Sequence, residues 1–585
     1  MLFNQVETHH LHFLQNPLRN IDYLDKYCTK PSLYTRLLYR FPITRTLLGE
    51  NQIKSLIGDA LKKNLLEIKH SYKSELKPTP ELIGEKHLEL HLNTLTQYFN
   101  IEISPSFLSR TTESDHEQIK LYLKSTLFTK LEYTCNRISE NFDLDDSYLH
   151  STLAHQQLWT TYFLSEIFFL LSLGLMQAQY RKDEILIRPT RKLMPSLRNR
   201  WLAETSEAHS NMTDRVFLQE FGKSLAQGKP LSIEAKEMLT DYILDKCLSI
   251  HVRYLSPKLK ENSRYQYLRD IVFVALFLEM RSIHGNRKTH YAAFSRYITA
   301  GSLSCMTSAL TCDSLPKVDT AQSFISVQGS EYIRGALNFK YGLKKLVGIL
   351  LGNTKDPKNK HDVKSLIGNN FEQEHMIDYI KNIAEKRFKV HPGFKAEKNA
   401  KVPDYDIDLV LEDTTYDTFY FIQAKYRLSS QPTFLSEQYE VMQKSDFKKG
   451  YAIQLLTLKN NLNEPSIRKK LNDHGLSSAT SNNTHFILLH NLPFLNFHST
   501  QGVAFYEWNL FRNLLKNGKI SIGHDLIITE EHTLTDEQLN EPDRIVDAYF
   551  GETLSGRQNR AGYALYRNTK AVCQLGEMKI RCDVL

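Results

Sequence analysis

The stretch VPDYDIDLVLEDTTYDTFYFIQAKYRL, Val402 to Leu428, sets aspartates ahead of one apolar run and a Gln-x-Lys at the end of the next. Asp408, Gln423 and Lys425 are the residue types that phosphodiester hydrolysis requires. A hard divalent cation held by carboxylate and carbonyl oxygens activates water and neutralises phosphate charge. A lysine beside it orients the attacking water or stabilises the pentavalent transition state. Side chains on a strand alternate faces, so Gln423 and Lys425 share a face, as do Asp406 and Asp408. If the two runs are neighbouring strands, Asp408, Gln423 and Lys425 converge on one patch. The plainer alternatives are a turn or cap aspartate and a solvated strand end. Against the second, Ile422 and Ala424 carry the apolar run up to Lys425, as in a central strand covered on both faces.

The D-I-D-L-V…F-I-Q-A-K arrangement resembles the PD-(D/E)xK nuclease superfamily, in particular its Mrr-like restriction-endonuclease branch, where glutamine replaces the acid of ExK. The resemblance covers about a quarter of the chain. It implies Asp408 as the main metal ligand, Gln423 as a ligand through its amide oxygen, and Lys425 as the catalytic lysine. It also implies an acid from the preceding helix, in NNFEQEHM. Glu374 shares an apolar stripe with Ile377, Ile380, Ala384 and Phe388 and is expected to face the sheet. Glu372 keeps the literal FE context but points with Met376 and Tyr379, so Glu374 is preferred. Asp404, after Pro403, is expected in the loop entering the strand, and Asp406 is an alternative or supporting ligand. The cofactor implied is Mg²⁺ or Mn²⁺. A neutral glutamine in place of an acid favours one tightly bound ion. The partner implied is DNA, in prokaryotic restriction, anti-phage defence or mobile elements, whose other subunits are further candidate partners, as is a second copy of the chain.

The elements that must position these residues follow a small α/β grammar over residues 366–500, with a mixed central sheet. FEQEHMIDYIKNIAEKRF reads as a helix, and FKVHP, IDLVLED and TFYFIQAKY read as strands. A helix from Leu435 to Phe447 ended by Gly450 follows, then a strand YAIQLLTL, a helix EPSIRKKLNDHG closed by Gly475, and a strand HFILLH. The fold class expected is therefore multidomain. A large, mostly α-helical region (1–350) with a sensor or assembly role precedes a restriction-endonuclease-like α/β domain (366–500). The lysine-rich, Asp-Pro-containing segment over 351–365 reads as the linker, and 501–585 as an α/β extension. In that extension Arg557, Arg560, Arg567 and Lys570 interleave with Tyr563 and Tyr566. Such a pattern can hold a nucleic-acid backbone and stack on bases, although an ordinary exposed loop-and-strand surface explains it as well.

Composition narrows the rest. A chain of 585 residues is too long for one core. Hydrophobic content of 41% with 24% charged residues argues against wholesale disorder. A net charge of +8 is compatible with nucleic acid without demanding it. Seven scattered cysteines with no CxxC signal neither structural zinc nor a disulfide framework, and fit a reducing cytoplasm. The start carries no secretory pattern. FLSEIFFLLSLGLM is too short for a span and contains Glu166, so it and IVFVALFLEM are expected as buried helices, not membrane segments. No GxxxxGK[ST] is present, so a P-loop ATPase is not expected. HHLH, His9 to His12, lacks partners that would complete a metal site. Two rival functions remain: a non-cutting nucleic-acid-binding assembly subunit, and a helical HEPN-like ribonuclease. The latter resembles R-x4–6-H, from which Arg287 and His290, only three apart, depart. Divalent-metal dependence separates all three.

Overall fold

The computed structural model describes residues 30–71, 100–103, 152–248, 263–311, 324–334, 371–384, 388–427, 450–517, 519–533, 539–575 and 578–583, apart from 182, 399, 525–526 and 553, together with a few isolated or short stretches between these ranges. The expected linker, His9 to His12 and most of the helix expected from Leu435 to Phe447 lie outside these residues.

The first half is helical but not wholly so. Its described elements are α1 (Leu33–Arg40), α2 (Glu50–Ser71), β1 (Asn100–Ile103), α3 (Thr152–Ser172), β2 (Met176–Arg181), β3 (Glu184–Pro189), α4 (Met194–Ala226), α5 (Ile233–Leu248), α6 (Ser263–Ile283), β4 (Lys288–His290), α7 (Ala300–Thr311), β5 (Ile325–Gln328) and β6 (Glu331–Arg334). The two apolar runs are buried helices as expected. Phe163, Leu164, Ile167 and Phe168 of α3 and Val272 to Leu276 of α6 lie in one continuous core. Among the described residues no helix is long and apolar enough to cross a membrane.

A π-helical turn (Phe371–Ile377) then winds into α8 (Asp378–Ala384), followed by β7 (Phe388–Lys395), β8 (Asp406–Asp413), β9 (Thr418–Lys425), α9 (Ala452–Asn460), α10 (Pro465–Asp473), β10 (Thr484–His490), β11 (His498–Thr500) and β12 (Val503–Glu507). The remainder comprises α11 (Trp508–Asn517), β13 (Lys519–His524), β14 (Ile527–Thr533), α12 (Pro542–Tyr549), α13 (Leu554–Asn568), β15 (Thr569–Leu575) and β16 (Met578–Asp583).

A six-stranded mixed sheet, in the order β11-β12-β10-β9-β8-β7, holds the candidate residues. β7, β8 and β9 form an antiparallel meander, whereas β9, β10 and β12 run parallel. The central strand β9 is buried along its length up to Lys425. One face, through Phe421, Phe486, Leu488 and Phe505, packs on a smaller core with Leu455, Leu458, Ile467 and Leu471. The other, through Tyr420, Ile422, Leu489 and Tyr506, joins the large core of the helical half.

YAIQLLTL is helical, forming α9 from Ala452 on, not the expected strand, and Gly450 is itself part of helical winding. A short apolar run does not distinguish the two states by periodicity, and topology decides here. β10 lies parallel to β9, a connection that needs a crossover layer, which α9 and α10 supply. The sheet also continues past residue 500 to Glu507. A second sheet, ordered β1-β15-β16-β3-β2, closes the last strands of the chain onto strands of its first half. TLSGRQNRAGYALYRNTK lies mostly in α13, not in a loop.

Candidate active site

The site forms where β8 and β9 part. Their last ladder pair on this side is Leu409 with Ile422. Beyond it the Ala424 N–H donates to Asp408 Oδ2 at 2.7 Å, so a side-chain carboxylate takes the place of a strand carbonyl. Two residues on, the Tyr426 N–H donates to Glu372 Oε1 at 2.7 Å. Both carboxylates are thus hung from amides flanking Lys425, each through one oxygen.

Backbone geometry explains why Asp408 can sit there. Phe388 of β7 and Leu409 and Leu411 of β8 pack in the large core, whereas Phe394 and Ile407 pack in the smaller one. The two paired strands therefore exchange faces together at Gly393 and Asp408. A Cβ on residue 393 would run into the carbonyl oxygens of Ile407 and Asp408, so the crossing requires glycine.

The charges are tightly grouped. Burial, the largest influence, pushes the Asp408 carboxyl above the ordinary carboxylate range; the Lys425 ammonium and the Ala424 N–H pull it down, and Asp406 adds repulsion. Glu372 is likewise raised, first by burial and further by Asp408 and Asp406, against the pull of the Tyr426 N–H and Lys425. Lys425 ends β9, half-buried, with its ammonium 5.4 Å from the centre of the Tyr451 ring. Gln423 is fully buried. Its Nε2 donates to Oε1 of Gln454 on α9, and its own Oε1 has no hydrogen-bond partner among the described residues.

The structure thus hangs Asp408 and one helix acid from the amides on either side of Lys425, with Asp406 two residues before Asp408 on β8 and Gln423 two residues from Lys425 on β9. The acid is Glu372, not the preferred Glu374. The reason is the π-helical turn over Phe371–Ile377, in which each turn takes an extra residue. An apolar stripe phased by α-helical spacing from Ile377 onward does not extend back to position 374. Asp406 heads β8 and is half-buried, whereas Asp404 is exposed in the approach to the strand, at φ 62°.

The other candidates make contacts within the fold, Arg557 apart. Arg560 bonds the Phe550 carbonyl at 2.8 Å and Glu552 at 2.9 Å. Arg567 donates to the Met194 sulfur, and Lys570 pairs with Asp583 at 3.4 Å. Tyr563 packs on Trp201 and Phe550, while Arg557 remains exposed. Arg287 Nε donates to the Arg334 carbonyl, and His290 Nδ1 accepts from the Ala292 N–H.

Three neighbours of the site escaped the sequence reading. Tyr451 and Gln454 lie on or beside the segment read as a strand. The spacing of Ala452, Leu455 and Leu456 was the available signal for a helix there. His490 pairs in register with Lys425, but it is fully buried and its Nδ1 accepts from the Leu492 N–H at 3.2 Å. Burial, with His498 nearby, pushes it down to about 3, so it stays neutral and is no proton acceptor for the site.

Among the described residues no three His, Cys, Asp or Glu side chains stand together as a metal cage. Two anchored carboxylates and a buried amide oxygen nonetheless fit a cation such as Mg²⁺, which takes one or two protein carboxylates and completes its sphere with water and phosphate oxygens. No protein-family model, curated protein or solved structure matches the chain.

Proposed function

We propose that the protein is a metal-dependent endonuclease that hydrolyses DNA phosphodiester bonds. The observation that carries this reading is the convergence of Asp408, Glu372 and Lys425 at one strand end, with the Gln423 amide oxygen buried and unpartnered close by on that strand. Asp408, Glu372 and the Gln423 oxygen would hold Mg²⁺ or Mn²⁺, which supplies Lewis-acid polarisation of the phosphate and a water activated at neutral pH. Lys425 donates hydrogen bonds to the attacking water or a non-bridging phosphate oxygen and offsets the charge that develops there. The attacking water gives up a proton to bulk solvent as its oxygen bonds to phosphorus, and the leaving oxygen departs with the electron pair of the broken P–O bond and takes up a proton from water.

Plasmid, linear and single-stranded substrates incubated with Mg²⁺, Mn²⁺ or EDTA test the proposal. Cleavage that needs the metal and is lost in Lys425→Ala, with folding and DNA retention intact, is the expected result. Cleavage in EDTA would favour the ribonuclease rival if RNA is the substrate, and retention without cleavage would favour the assembly subunit.

A further inference from the structure

We propose that Gln454 is a positioning residue that makes Gln423 an oxygen donor to the cation; the inference rests on the metal-site reading above. A carboxylate offers oxygen at both ends, so an acid at position 423 would need no such help. A primary amide has two chemically opposite ends, one accepting and one donating. Only the accepting end can meet a cation, and a buried side chain cannot leave the choice to solvent.

The structure supplies a partner that makes the choice. The Gln423 Nε2 donates to the Gln454 Oε1, which occupies the donating end. The Gln423 Oε1 is left buried with no hydrogen-bond partner among the described residues. Leaving such an acceptor unpaired costs about 1–3 kcal/mol, and a hard cation removes that cost. Reversal of the amide would turn two N–H bonds toward the positive charge, and the Gln454 oxygen opposes it by accepting from the Gln423 N–H group. The backbone that carries Gln454 is fixed on both sides of it: Ala452, Leu455 and Leu458 of α9 are fully buried in the smaller core.

The test reads metal affinity directly, by the fall in the electron paramagnetic resonance signal of free Mn²⁺ as the full chain is added. Gln454→Met keeps length and helix propensity but offers no comparable acceptor; it should weaken Mn²⁺ binding by about 10–100-fold. Gln454→Glu retains the acceptor and should bind as the wild type does. In EDTA Gln454→Met should melt below Gln454→Glu, because it strands the buried Gln423 N–H group; the affinities in the two backgrounds carry the decision. In a Gln423→Glu background, where both ends at position 423 are oxygens, Gln454→Met should leave the affinity unchanged.

A purely structural role predicts otherwise: the same loss of affinity in both backgrounds. Wild-type affinity in Gln454→Met, or an equal loss in the Gln423→Glu background, overturns the inference. The second comparison also decides the matter should Gln454→Met fold only in that background. Asp408→Asn separates this failure from that of the underlying reading. If the wild type binds no Mn²⁺, or Asp408→Asn binds it equally well, the metal site itself is wrong. If Asp408→Asn loses Mn²⁺ while Gln454→Met does not, only the role of Gln454 falls.

Discussion

Replacing Asp408 by asparagine and by alanine separates its two tasks, anchoring the strand end and holding the cation. Asparagine keeps an oxygen that can accept from the Ala424 N–H, the bond that Asp408 makes at 2.7 Å. Alanine leaves that amide, on a fully buried residue, without its acceptor. The difference between the two variants should therefore be about 1–3 kcal/mol in metal-free protein. The charge adds a second effect. The folded-state value of Asp408 is raised, chiefly by burial. A raised carboxylate contributes stability below its unfolded pKa and loses it as pH rises through the folded value. At pH 7 the metal-free wild type thus bears the cost of a buried ionised carboxylate, and Asp408→Asn should unfold at the same or higher denaturant concentration. Addition of Mg²⁺ reverses the order, because at a hundredfold excess over Kd a ligand stabilises by about 2.7 kcal/mol. The wild type should gain that; neither variant should. Urea titrations in EDTA and in Mg²⁺ measure both effects. The hydrogen-bond argument is refuted if Asp408→Asn is as unstable as Asp408→Ala in EDTA. Equal stabilisation of Asp408→Asn and wild type by Mg²⁺ would remove Asp408 from the metal site.

Other perturbations probe the neighbours. Glu372→Gln should keep its bond from the Tyr426 N–H yet lose metal-dependent cleavage, whereas Glu374→Gln should stay active and change stability by less than about 0.5 kcal/mol; the reverse pattern would mean that the π-helical turn is wrongly phased. Gly393→Ala should push the Ile407 and Asp408 carbonyls apart and lower both stability and Mn²⁺ affinity, and a variant with wild-type affinity would show that the strand crossing does not set Asp408. His490, held down to about 3 against an unfolded value near 6.5, contributes stability that is present above the unfolded value and is lost as pH falls toward the folded one. At pH 5 the loss attributable to it is about 2 kcal/mol. His490→Asn, which does not titrate, should shed that much less between pH 7 and pH 5, and an identical pH slope would contradict the assignment.

The sequence showed much of the sheet because its strands obey local rules. β8, β9 and β10 are short apolar runs bounded by turn residues, and the apolar approach to Lys425 marked β9 as central. The connection after β9 was less legible, since Ala452, Leu455 and Leu456 fit either state until the parallel pairing of β10 is known. Non-local pairing hid the rest: no local pattern around Ile185 or Ile580 announces that β3 and β16 will lie side by side. The helix acid was hard to choose for another reason. Choosing between Glu372 and Glu374 by apolar phase assumes uniform α-helical winding, and the turn that carries both is π-helical.

The strand alternation that first linked Asp408 to Gln423 and Lys425 is also the rule that breaks at the site. β7 and β8 exchange faces at Gly393 and Asp408, so alternation alone does not place Asp408 where it is. What places it is a pair of backbone donors. At the end of β9 and just past it, the amides of Ala424 and Tyr426 lie beyond the last ladder pair with β8, where strand carbonyls are no longer opposite them. Buried amides need acceptors, and a carboxylate is a stronger acceptor than a carbonyl. Asp408 and Glu372 meet that need, and doing so fixes one oxygen of each and directs both acids toward the same lysine. The site is therefore assembled by the termination of a β-ladder, with Lys425 between the two donors. Both anchors are backbone amides, and binding a cation would relieve the repulsion between the two carboxylates they hold.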